Sequence, residues 1–295
     1  MGALDGKVAI VTGAGRGVGR GTALSLAQHG ATVLVADIGV EMDGSQPRNT
    51  EADGVVAEIK ASGGNASASY TDVANFQQVE AMVEGAVKQY GRIDIVVSHA
   101  GIVRRKMVWE LDEDDWDAVL DVHLKGTFAC MRFAIPHMIE QKWGRIVNTL
   151  SPAGIVQGAA RRGNYGAAKG GIYALTQSAA VELAGAGVTV NAVCPSTSDT
   201  RLLRTSIEEV MQGADSPQTR AMISAIKPTP PEDVAPITTY LCTEEAADIT
   251  GKFFYSNGGE IQTLQPIQYK PLLKKDGRWE LDELTKAMRG VKDSI

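Results

Sequence analysis

Apolar and polar positions follow one repeating order along most of the chain. A short apolar run rich in β-branched residues leads into a turn, and a stretch with helical period follows. Because strands buried on both faces appear as continuous apolar runs, this alternation predicts parallel strands connected by helices. The runs are Val8–Val11, Thr32–Ala36, Ala66–Tyr70, Ile93–Val97, Arg145–Thr149, Val188–Val193 and Lys252–Tyr255.

The helical stretches lie between these runs, as crossover connections require. Right-handed crossovers wind such strands into one sheet with helices on both faces. The pattern therefore predicts an α/β protein with a single doubly wound Rossmann domain and a mostly parallel, seven-stranded sheet. The helices are expected to begin near Gly17, Glu51, Asn75, Asp112, Gly163 and Pro231.

Two segments interrupt the alternation. Gly39–Thr50 is a polar loop longer than most strand–helix connections. Residues 260–295 follow the last apolar run, with a short helix expected near Asp282–Met288. We therefore predict one domain over residues 1–259, with a substrate lid at about 197–229, and a C-terminal tail with a role in packing or oligomerisation.

The composition argues against two classes of partner. A formal net charge of -6 disfavours nucleic acid and anionic membranes, because both attract a basic face. Cys130, Cys194 and Cys242 lack metal-site spacing and suggest reduced thiols. The first residues do not resemble a signal peptide, and no apolar run approaches the roughly 18 residues that span a bilayer. We expect a cytoplasmic protein.

A glycine-rich loop, Thr12–Gly19 (TGAGRGVG), follows the first apolar run. Its missing side chains let the backbone approach a pyrophosphate, whose charge would lie at the N-terminus of the next helix. Asp37 closes the second run, where a carboxylate accepts hydrogen bonds from the adenosine ribose and repels the extra phosphate of NADP. Arg16 would favour NADP, but no basic residue follows Asp37 directly. The sequence favours NAD as cofactor.

Tyr165 and Lys169 lie four positions apart at the start of a predicted helix, which places them on one face. A free phenol has a pKa of about 10 and is a poor base at neutral pH. A neighbouring ammonium and a positive nicotinamide ring would both stabilise the phenolate and lower that pKa. Ser151, at the end of the preceding strand, could donate a hydrogen bond to the substrate oxygen.

These motifs together resemble the short-chain dehydrogenase/reductase superfamily, and the likeness runs from about Leu4 to Gly259. Within it, the chain is similar to the branch that handles (3R)-hydroxyacyl-CoA in the peroxisomal multifunctional β-oxidation protein. The residues that carry the likeness are Thr12–Gly19, Asp37, Asp72-Val73, Ser98–Gly101, Ser151, Tyr165–Lys169 and Asn191–Thr200, with the loop after Asp37, Asp114–Asp117, Val122–Leu124 and Glu232–Pro236 pointing to the branch.

The resemblance implies a role for each motif. Asp72 and Val73 would flank the adenine, Lys169 would hold the nicotinamide ribose, and the segment from Pro195 to Thr200 would hold the carboxamide. The implied catalytic residues are Ser151, Tyr165, Lys169 and, as a member of a proton relay, His123. The implied cofactor-binding residues are Gly13, Arg16, Gly17, Val18, Gly19, Asp37, Asp72, Val73, Ser98, Ala100, Gly101, Tyr165, Lys169, Pro195, Ser198 and Thr200.

The chain departs from the superfamily pattern at four points. Ser98 and His99 stand where two asparagines are usual, and His123 stands where most members have a catalytic asparagine. Ser196 replaces a glycine, and the spacing from Ser151 to Tyr165 is one residue longer than the common pattern. These departures affect the expected proton relay and leave the Tyr–Lys pair intact. No cluster suggests a metal site.

The substrate is expected to be a small molecule with a secondary alcohol or ketone. A 3-hydroxyacyl-CoA would suit an apolar lid and the basic residues Arg104–Lys106 and Arg161-Arg162, whereas a hydroxysteroid or cyclic terpenoid alcohol suits the lid alone. A catalytically silent NAD-binding regulator and a sugar-nucleotide epimerase are the alternatives of other classes. The resemblance also implies a homodimer or homotetramer built on helices around Asp112–Met138 and Gly163–Gly185.

Overall fold

A computed structural model describes the chain apart from residues 1, 47–49, 157, 159, 197, 202, 206, 208–226, 266, 268–269 and 292–295. Two compact units are present, Met1–Leu264 and Gln265–Ile295. The first unit contains the whole sheet and the helices that cover it. Residues 260–263, which the sequence analysis placed in the tail, belong to this unit.

The first unit is built on one sheet with strand order β3-β2-β1-β4-β5-β6-β7-β8. Strands β1 to β7 are parallel, and β8 pairs antiparallel with β7. The predicted doubly wound α/β fold is therefore confirmed, with eight strands in place of seven. The strands are β1 (Val8–Thr12), β2 (Thr32–Ala36), β3 (Asn65–Ser69), β4 (Ile95–Ser98), β5 (Gly144–Thr149), β6 (Val188–Pro195), β7 (Phe253–Asn257) and β8 (Glu260–Thr263).

The additional strand, β8, forms a hairpin with β7. The turn is Gly258-Gly259, a pair suited to a two-residue hairpin, and Gly258 has a φ of 59°. All four residues of β8 are exposed. A strand without a buried face leaves no apolar run, so hydrophobic patterning did not mark it.

The helices cover both faces of the sheet, and alternate strand residues point to each. Ala9 and Val11 of β1 belong to one core cluster, and Val8 and Ile10 belong to the other. The first cluster includes residues of α1, α2 and α7, and the second includes residues of α3, α5 and α6. The helices are α1 (Gly17–Gln28), α2 (Thr50–Ala61), α3 (Phe76–Tyr90), α4 (Glu113–Leu120), α5 (Gly126–Gln141), α6 (Gly163–Glu182), α7 (Ala235–Leu241) and α8 (Leu281–Arg289), with a π-helical turn at Asp121–Lys125 and 3₁₀ turns at Pro231–Val234 and Glu244–Ala246.

The order of the strands reverses between β1 and β4. The chain runs outward from β1 through β2 to β3 and then returns to β4 on the other side of β1. In sheets of this kind, ligands bind in the crevice beyond the carboxyl ends of the strands at the reversal. The loops after β1 and β4, Gly13–Arg16 and His99–Gly101, both open into this crevice.

The second unit contains α8, close to the helix predicted near Asp282–Met288. The helix begins with a capping box, in which the Glu280 side chain accepts a hydrogen bond from the backbone of Glu283 and the Glu283 side chain accepts one from Glu280. Across the described part of the chain, no helix has both the length and the apolar character needed to cross a bilayer.

Candidate active site

One cavity of about 690 Å³ opens at the crevice between β1 and β4. Its volume is in the range of small-molecule and cofactor sites, about 300–1,000 Å³. Every site residue predicted from the sequence lines it except Ser98, which lies at the end of β4, 5% exposed. Residues distributed over nearly two hundred positions of the chain therefore meet in one place.

The glycine-rich loop is as closely packed as a phosphate-binding turn requires. Gly13 has a φ of 63°, and a Cβ there would lie 2.7 Å from backbone atoms of Ala100. A Cβ on Gly19 would lie 2.1 Å from the carbonyl oxygen of Gly13. The first distance shows that the loop packs closely against the turn after β4. The second shows that the start of α1 packs closely against the loop. Neither position can accept a larger residue without moving backbone.

Asp37 is fixed by backbone amides at the end of β2. Gly15 N–H donates to Oδ2 at 2.8 Å, and Gly39 N–H donates to Oδ1 at 2.6 Å. Each carboxylate oxygen keeps a further lone pair. The side chain lines the cavity, so it is held with its remaining acceptors available to a ligand.

Two arginines near Asp37 are paired with carboxylates. Arg16 forms an ion pair with Glu51, near the start of α2, and Arg201 donates to Glu41 at 2.6 Å and to the Val40 carbonyl at 2.9 Å. Together with Asp37, these residues form what we call the loop end of the cavity.

The loop after β2 crosses the crevice. Val103 N–H donates to the Met42 carbonyl at 2.9 Å, and Arg104 Nε donates to the Asp43 carbonyl at 3.1 Å. Residues 38, 40–42 and 44 line the cavity together with the turn that follows β4. The polar loop noted in the sequence is therefore part of the cavity wall.

At the other end, which we call the tyrosine end, Ser151, Tyr165, Lys169 and His123 line the cavity. The Lys169 ammonium donates to the Thr149 carbonyl at 2.7 Å and lies 5.5 Å from the centre of the Tyr165 ring. Ser151 hydrogen-bonds Tyr165. The spacing of four residues on α6 therefore places both side chains on the same face, as the sequence predicts.

Burial dominates the ionisation of both groups. Burial raises the pKa of Tyr165, while the hydrogen bond from Ser151 and the charges of Arg162 and Arg105 act in the opposite direction. Burial also lowers the pKa of Lys169 to about 7. The sequence analysis expected a lowered phenol pKa. The structure gives the reverse direction, because desolvation of the phenolate outweighs the nearby positive charges.

His123 lies in the π-helical turn between α4 and α5, and π-helical turns are frequent at functional sites. Its Nε2 is 2.8 Å from the Ile102 carbonyl, which assigns the proton to Nε2, so the 3.2 Å approach of Ile102 N–H is not a second hydrogen bond. Nδ1 is buried and has no hydrogen-bond partner among the described residues. The ring stands edge-on to Tyr165, with centroids 5.1 Å apart. A Cβ on Gly101 would lie 2.4 Å from this ring.

His99 differs from His123 because both of its nitrogens are occupied. Nε2 is 3.0 Å from the Thr22 hydroxyl of α1, and Nδ1 is 2.7 Å from the Thr149 hydroxyl. Burial lowers the pKa of His99 to about 3, and Lys169 adds to the effect. The neutral ring therefore connects the helix after the glycine loop to the strand whose carbonyl holds Lys169.

The segment after β6 also reaches the cavity. Ser198 pairs with Thr229, and Asp199 N–H donates to the Thr229 carbonyl at 2.7 Å. The Ser198 hydroxyl is buried and has no hydrogen-bond partner among the described residues. A Cβ on Gly17 would lie 3.3 Å from Thr200, so this segment approaches the glycine loop. Most of the predicted lid, including residues 208–226, lies outside the described residues.

The basic residues proposed to meet CoA phosphates divide into two groups. Arg104 and Lys106 both form ion pairs with Asp115. Arg162 lines the cavity near Tyr165, whereas Arg161 is exposed and has a φ of 61°.

Three residues of the site were not identified from the sequence. Glu51 and Thr149 act on other site residues, and Tyr255 of β7 lines the cavity with its hydroxyl 2.7 Å from that of Ser196. A carboxylate in the first turn of the helix after Asp37 was a usable signal for Glu51. The other two depend on pairing between strands far apart in the chain.

The residues present fit a nicotinamide dinucleotide. α1 begins at Gly17 with no side chain of the described residues capping its first amides, which leaves them for a phosphate. Asp37 offers acceptors suited to ribose hydroxyls. The Ser198 hydroxyl, which has no partner in the described ranges, suits an amide group. No group of side chains in the described residues could hold a metal ion.

Fold and site together define a nicotinamide-dependent oxidoreductase of the Rossmann type. Residues 7–210 match the short chain dehydrogenase family, and the chain belongs to that family. This confirms the resemblance seen in the sequence.

Similarity to individual proteins agrees with this family assignment. The chain is 39% identical over 262 residues to a 3-oxoacyl-[acyl-carrier-protein] reductase of Synechocystis, covering 88% of this chain and 99% of the relative. It is 38% identical over 266 residues to the peroxisomal multifunctional enzyme type 2 of Drosophila melanogaster, covering 90% of this chain and 41% of that protein. A crystal structure of a short chain dehydrogenase from Mycobacterium avium superposes with a TM-score of 0.81 at 40% identity, covering 99% of this chain and 96% of the other.

Proposed function

We propose that this chain is an NAD(H)-dependent oxidoreductase that interconverts a secondary alcohol and a ketone. The observation that carries the proposal is the meeting of Ser151, Tyr165 and Lys169 with the glycine loop and Asp37 in one cavity. A catalytically silent NAD-binding regulator would not need a serine hydroxyl bonded to a half-buried tyrosine beside a buried lysine.

The reaction separates a proton from a hydride. In oxidation, the hydroxyl proton leaves the alcohol oxygen and the hydrogen on the carbinol carbon leaves with its electron pair. A nicotinamide dinucleotide held by the glycine loop, Asp37 and Lys169 would supply the hydride acceptor for oxidation and the hydride donor for reduction. Tyr165 accepts the hydroxyl proton in oxidation and returns one to the carbonyl oxygen in reduction, and Ser151 orients that oxygen.

The raised pKa of Tyr165 suits ketone reduction. A phenol that stays protonated through neutral pH is a ready general acid. For oxidation the phenolate is needed, and positive charge near the ring must then offset burial. Arg162, Arg105 and the protonated form of Lys169 supply that charge from the protein.

His123 is proposed to continue the proton path. Its Nδ1 is an acceptor without a partner in the part of the chain that the structure describes, and its ring lies against Tyr165. A water that bridges Nδ1 to the tyrosine end would satisfy the nitrogen and itself carry the proton, because burial lowers the pKa of His123 to about 3 and keeps the ring neutral.

NAD is proposed as the cofactor because Asp37 offers a carboxylate held by two amides to the cavity, whereas Arg16 is paired with Glu51. An anion next to a carboxylate about 4 Å away costs up to about 4 kcal/mol near a protein surface, and less once salt screens the charges.

A 3-hydroxyacyl-CoA and the corresponding 3-ketoacyl-CoA are the proposed substrate pair. The support is likeness to proteins named for 3-oxoacyl carrier-protein reduction and for a peroxisomal multifunctional enzyme. A hydroxysteroid or cyclic terpenoid alcohol is the second candidate. It is favoured by the pairing of Arg104 and Lys106 with Asp115, which engages two of the cations expected to meet CoA phosphates.

The test is the formation of NADH from 3-hydroxyacyl-CoAs, hydroxysteroids and cyclic alcohols by wild type and by Tyr165→Phe. We expect kcat to fall about 10²- to 10⁴-fold in the variant while NAD⁺ still binds, because one hydroxyl is lost and the ring remains. Tyr240→Phe, a change at a partly exposed tyrosine of α7, is the control and should leave kcat unchanged. Retention of more than about a tenth of wild-type kcat by Tyr165→Phe would rule out the mechanism.

A homodimer or homotetramer is also proposed, built on α4, α5 and α6. Phe128, Ile139 and Val181 on these helices are 42%, 46% and 76% exposed, and such apolar surface suits a subunit contact. Light scattering at micromolar concentration should give a multiple of 31.3 kDa. A 31.3 kDa species alone would contradict the proposal.

A further inference from the structure

The loop end of the cavity contains two side chains of opposite charge, with opposite effects on the binding of NADP. Asp37 repels a phosphate on the adenosine ribose, whereas Arg16, which directly precedes Gly17 in the glycine loop, would attract one. Both side chains line the same cavity. Their balance depends on what else the Arg16 guanidinium contacts.

Arg16 is bound by Glu51. Nη2 of the guanidinium forms an ion pair with the Glu51 carboxylate, and Nη1 lies 3.5 Å from the Val40 carbonyl. Glu51 is the second residue of α2, so the helix fixes where this carboxylate lies.

Glu51 and Asp37 flank the same glycine. A Cβ on Gly15 would lie 2.7 Å from Glu51 Cβ and 2.9 Å from Asp37 Oδ2. The two acidic residues therefore both lie next to the same backbone position of the loop. Arg201, whose guanidinium also reaches this region, is paired with Glu41. The loop end thus carries three carboxylates against two guanidiniums.

We propose that Glu51 is a cofactor-specificity residue, which withdraws Arg16 from the extra phosphate of NADP and adds a second carboxylate beside Asp37. The inference rests on the proposed preference for NAD and explains how an arginine in the glycine loop is compatible with it. Because the pair is partly exposed, its effect should be moderate and should weaken at high salt.

The test is the binding of NAD⁺ and NADP⁺ to Glu51→Gln, measured by calorimetric titration without substrate. We expect NADP⁺ to bind about tenfold more tightly than to wild type at low salt, because Arg16 becomes available and one negative charge is lost. NAD⁺ affinity should change by less than about twofold, and 0.5 M salt should remove most of the gain.

Glu58→Gln is the matched control. Glu58 lies on the same helix seven positions later and binds Arg20 of α1 through both oxygens at 2.7 Å. This pair has the same chemistry but joins α2 to α1 rather than to the glycine loop, and neither residue lines the cavity. The control should leave the affinities for both dinucleotides unchanged.

A double-mutant cycle isolates the role of Arg16. Arg16→Gln should weaken NADP⁺ binding more in the Glu51→Gln background than in wild type, because only there is the guanidinium available. An equal effect in both backgrounds would overturn the inference, as would an unchanged ratio of NADP⁺ to NAD⁺ affinity in Glu51→Gln. If Glu51→Gln does not fold, Glu51→Ala serves the same cycle. A wild type that already prefers NADP⁺ would contradict the proposed cofactor, while the comparison between variants would still test Glu51.

Discussion

The two ends of the cavity are stabilised in different ways. At the loop end, Asp37 is held by backbone amides and its neighbours are partly exposed ion pairs. At the tyrosine end, His123 and Lys169 are 3% exposed, and each is held by a carbonyl from a distant part of the chain. Water screens the first set of charges, whereas burial shifts the ionisation of the second.

Because of this difference, we expect the loop end to control dinucleotide affinity and the tyrosine end to control the rate of the reaction. Screened charges at the loop end change how strongly one dinucleotide binds relative to another, by a moderate factor. Buried groups at the tyrosine end have shifted pKa values, as expected of groups that move protons. Substitutions at the two ends should therefore have effects of different size and kind.

The largest effect is expected at the tyrosine end, from Lys169→Met. Methionine nearly matches the length of lysine but has no charge, so the ring of Tyr165 loses its ammonium neighbour while α6 still packs. We expect kcat to fall about 10²- to 10⁴-fold, because the ammonium stabilises the Tyr165 phenolate. We expect NAD⁺ to bind more weakly, because the same side chain would hold the nicotinamide ribose. Initial-rate assays on folded protein measure the change in kcat, and NAD⁺ titration measures the change in affinity.

Lys125→Met is the control for this change. Lys125 is exposed and pairs only loosely with Asp121, at 3.3 Å, on the π-helical turn. Its replacement should leave kcat and NAD⁺ affinity near wild type. If Lys169→Met kept both values as well, the lysine would have no part in the reaction.

The sequence predicted the loop end better than the tyrosine end. Gly13 and Gly19 act through backbone shape and Asp37 through its carboxylate, and all three lie within one strand–helix–strand unit, so their spacing carries the information. Tyr165 and Lys169 were predictable because helical spacing fixes their shared face.

Other features depend on contacts between distant segments. The hydrogen bonds from Thr22 through His99 to Thr149 join α1, the turn after β4, and β5. No local sequence pattern predicts them. The raised pKa of Tyr165 follows from burial, which composition and spacing do not report. The exposed strand β8 left no apolar run, so the predicted sheet had one strand too few.

The next largest effect is expected at the loop end, from Asp37→Ala. The change removes an acceptor for the ribose hydroxyls and a charge that repels the phosphate of NADP. Discrimination between NAD⁺ and NADP⁺ should fall roughly tenfold to several hundredfold, about 1.4–3.5 kcal/mol. The ratio of kcat/KM for the two cofactors measures it, and a wild type that already prefers NADPH would contradict the role given to Asp37.

The smallest effect, taken per pH unit, concerns the residue that connects the two ends. Burial lowers the pKa of His99 to about 3, against 6.5 for an ordinary histidine. Between these values the unfolded chain binds a proton that the folded chain does not, so the free energy of unfolding should decrease as pH falls from 6.5 toward 3. The contribution of one such histidine is at most about 1.4 kcal/mol per pH unit.

His99→Asn should reduce this slope, because asparagine does not titrate and can still hydrogen-bond the hydroxyls of Thr22 and Thr149. Urea unfolding at pH 7, 6 and 5 gives the slope for each protein. The exposed His29, replaced in the same way, should leave it unchanged. If His99→Asn and wild type lost stability equally, protonation of this ring would not limit folding in acid. A reduced slope would show that protonation of His99 contributes to the loss of stability in acid.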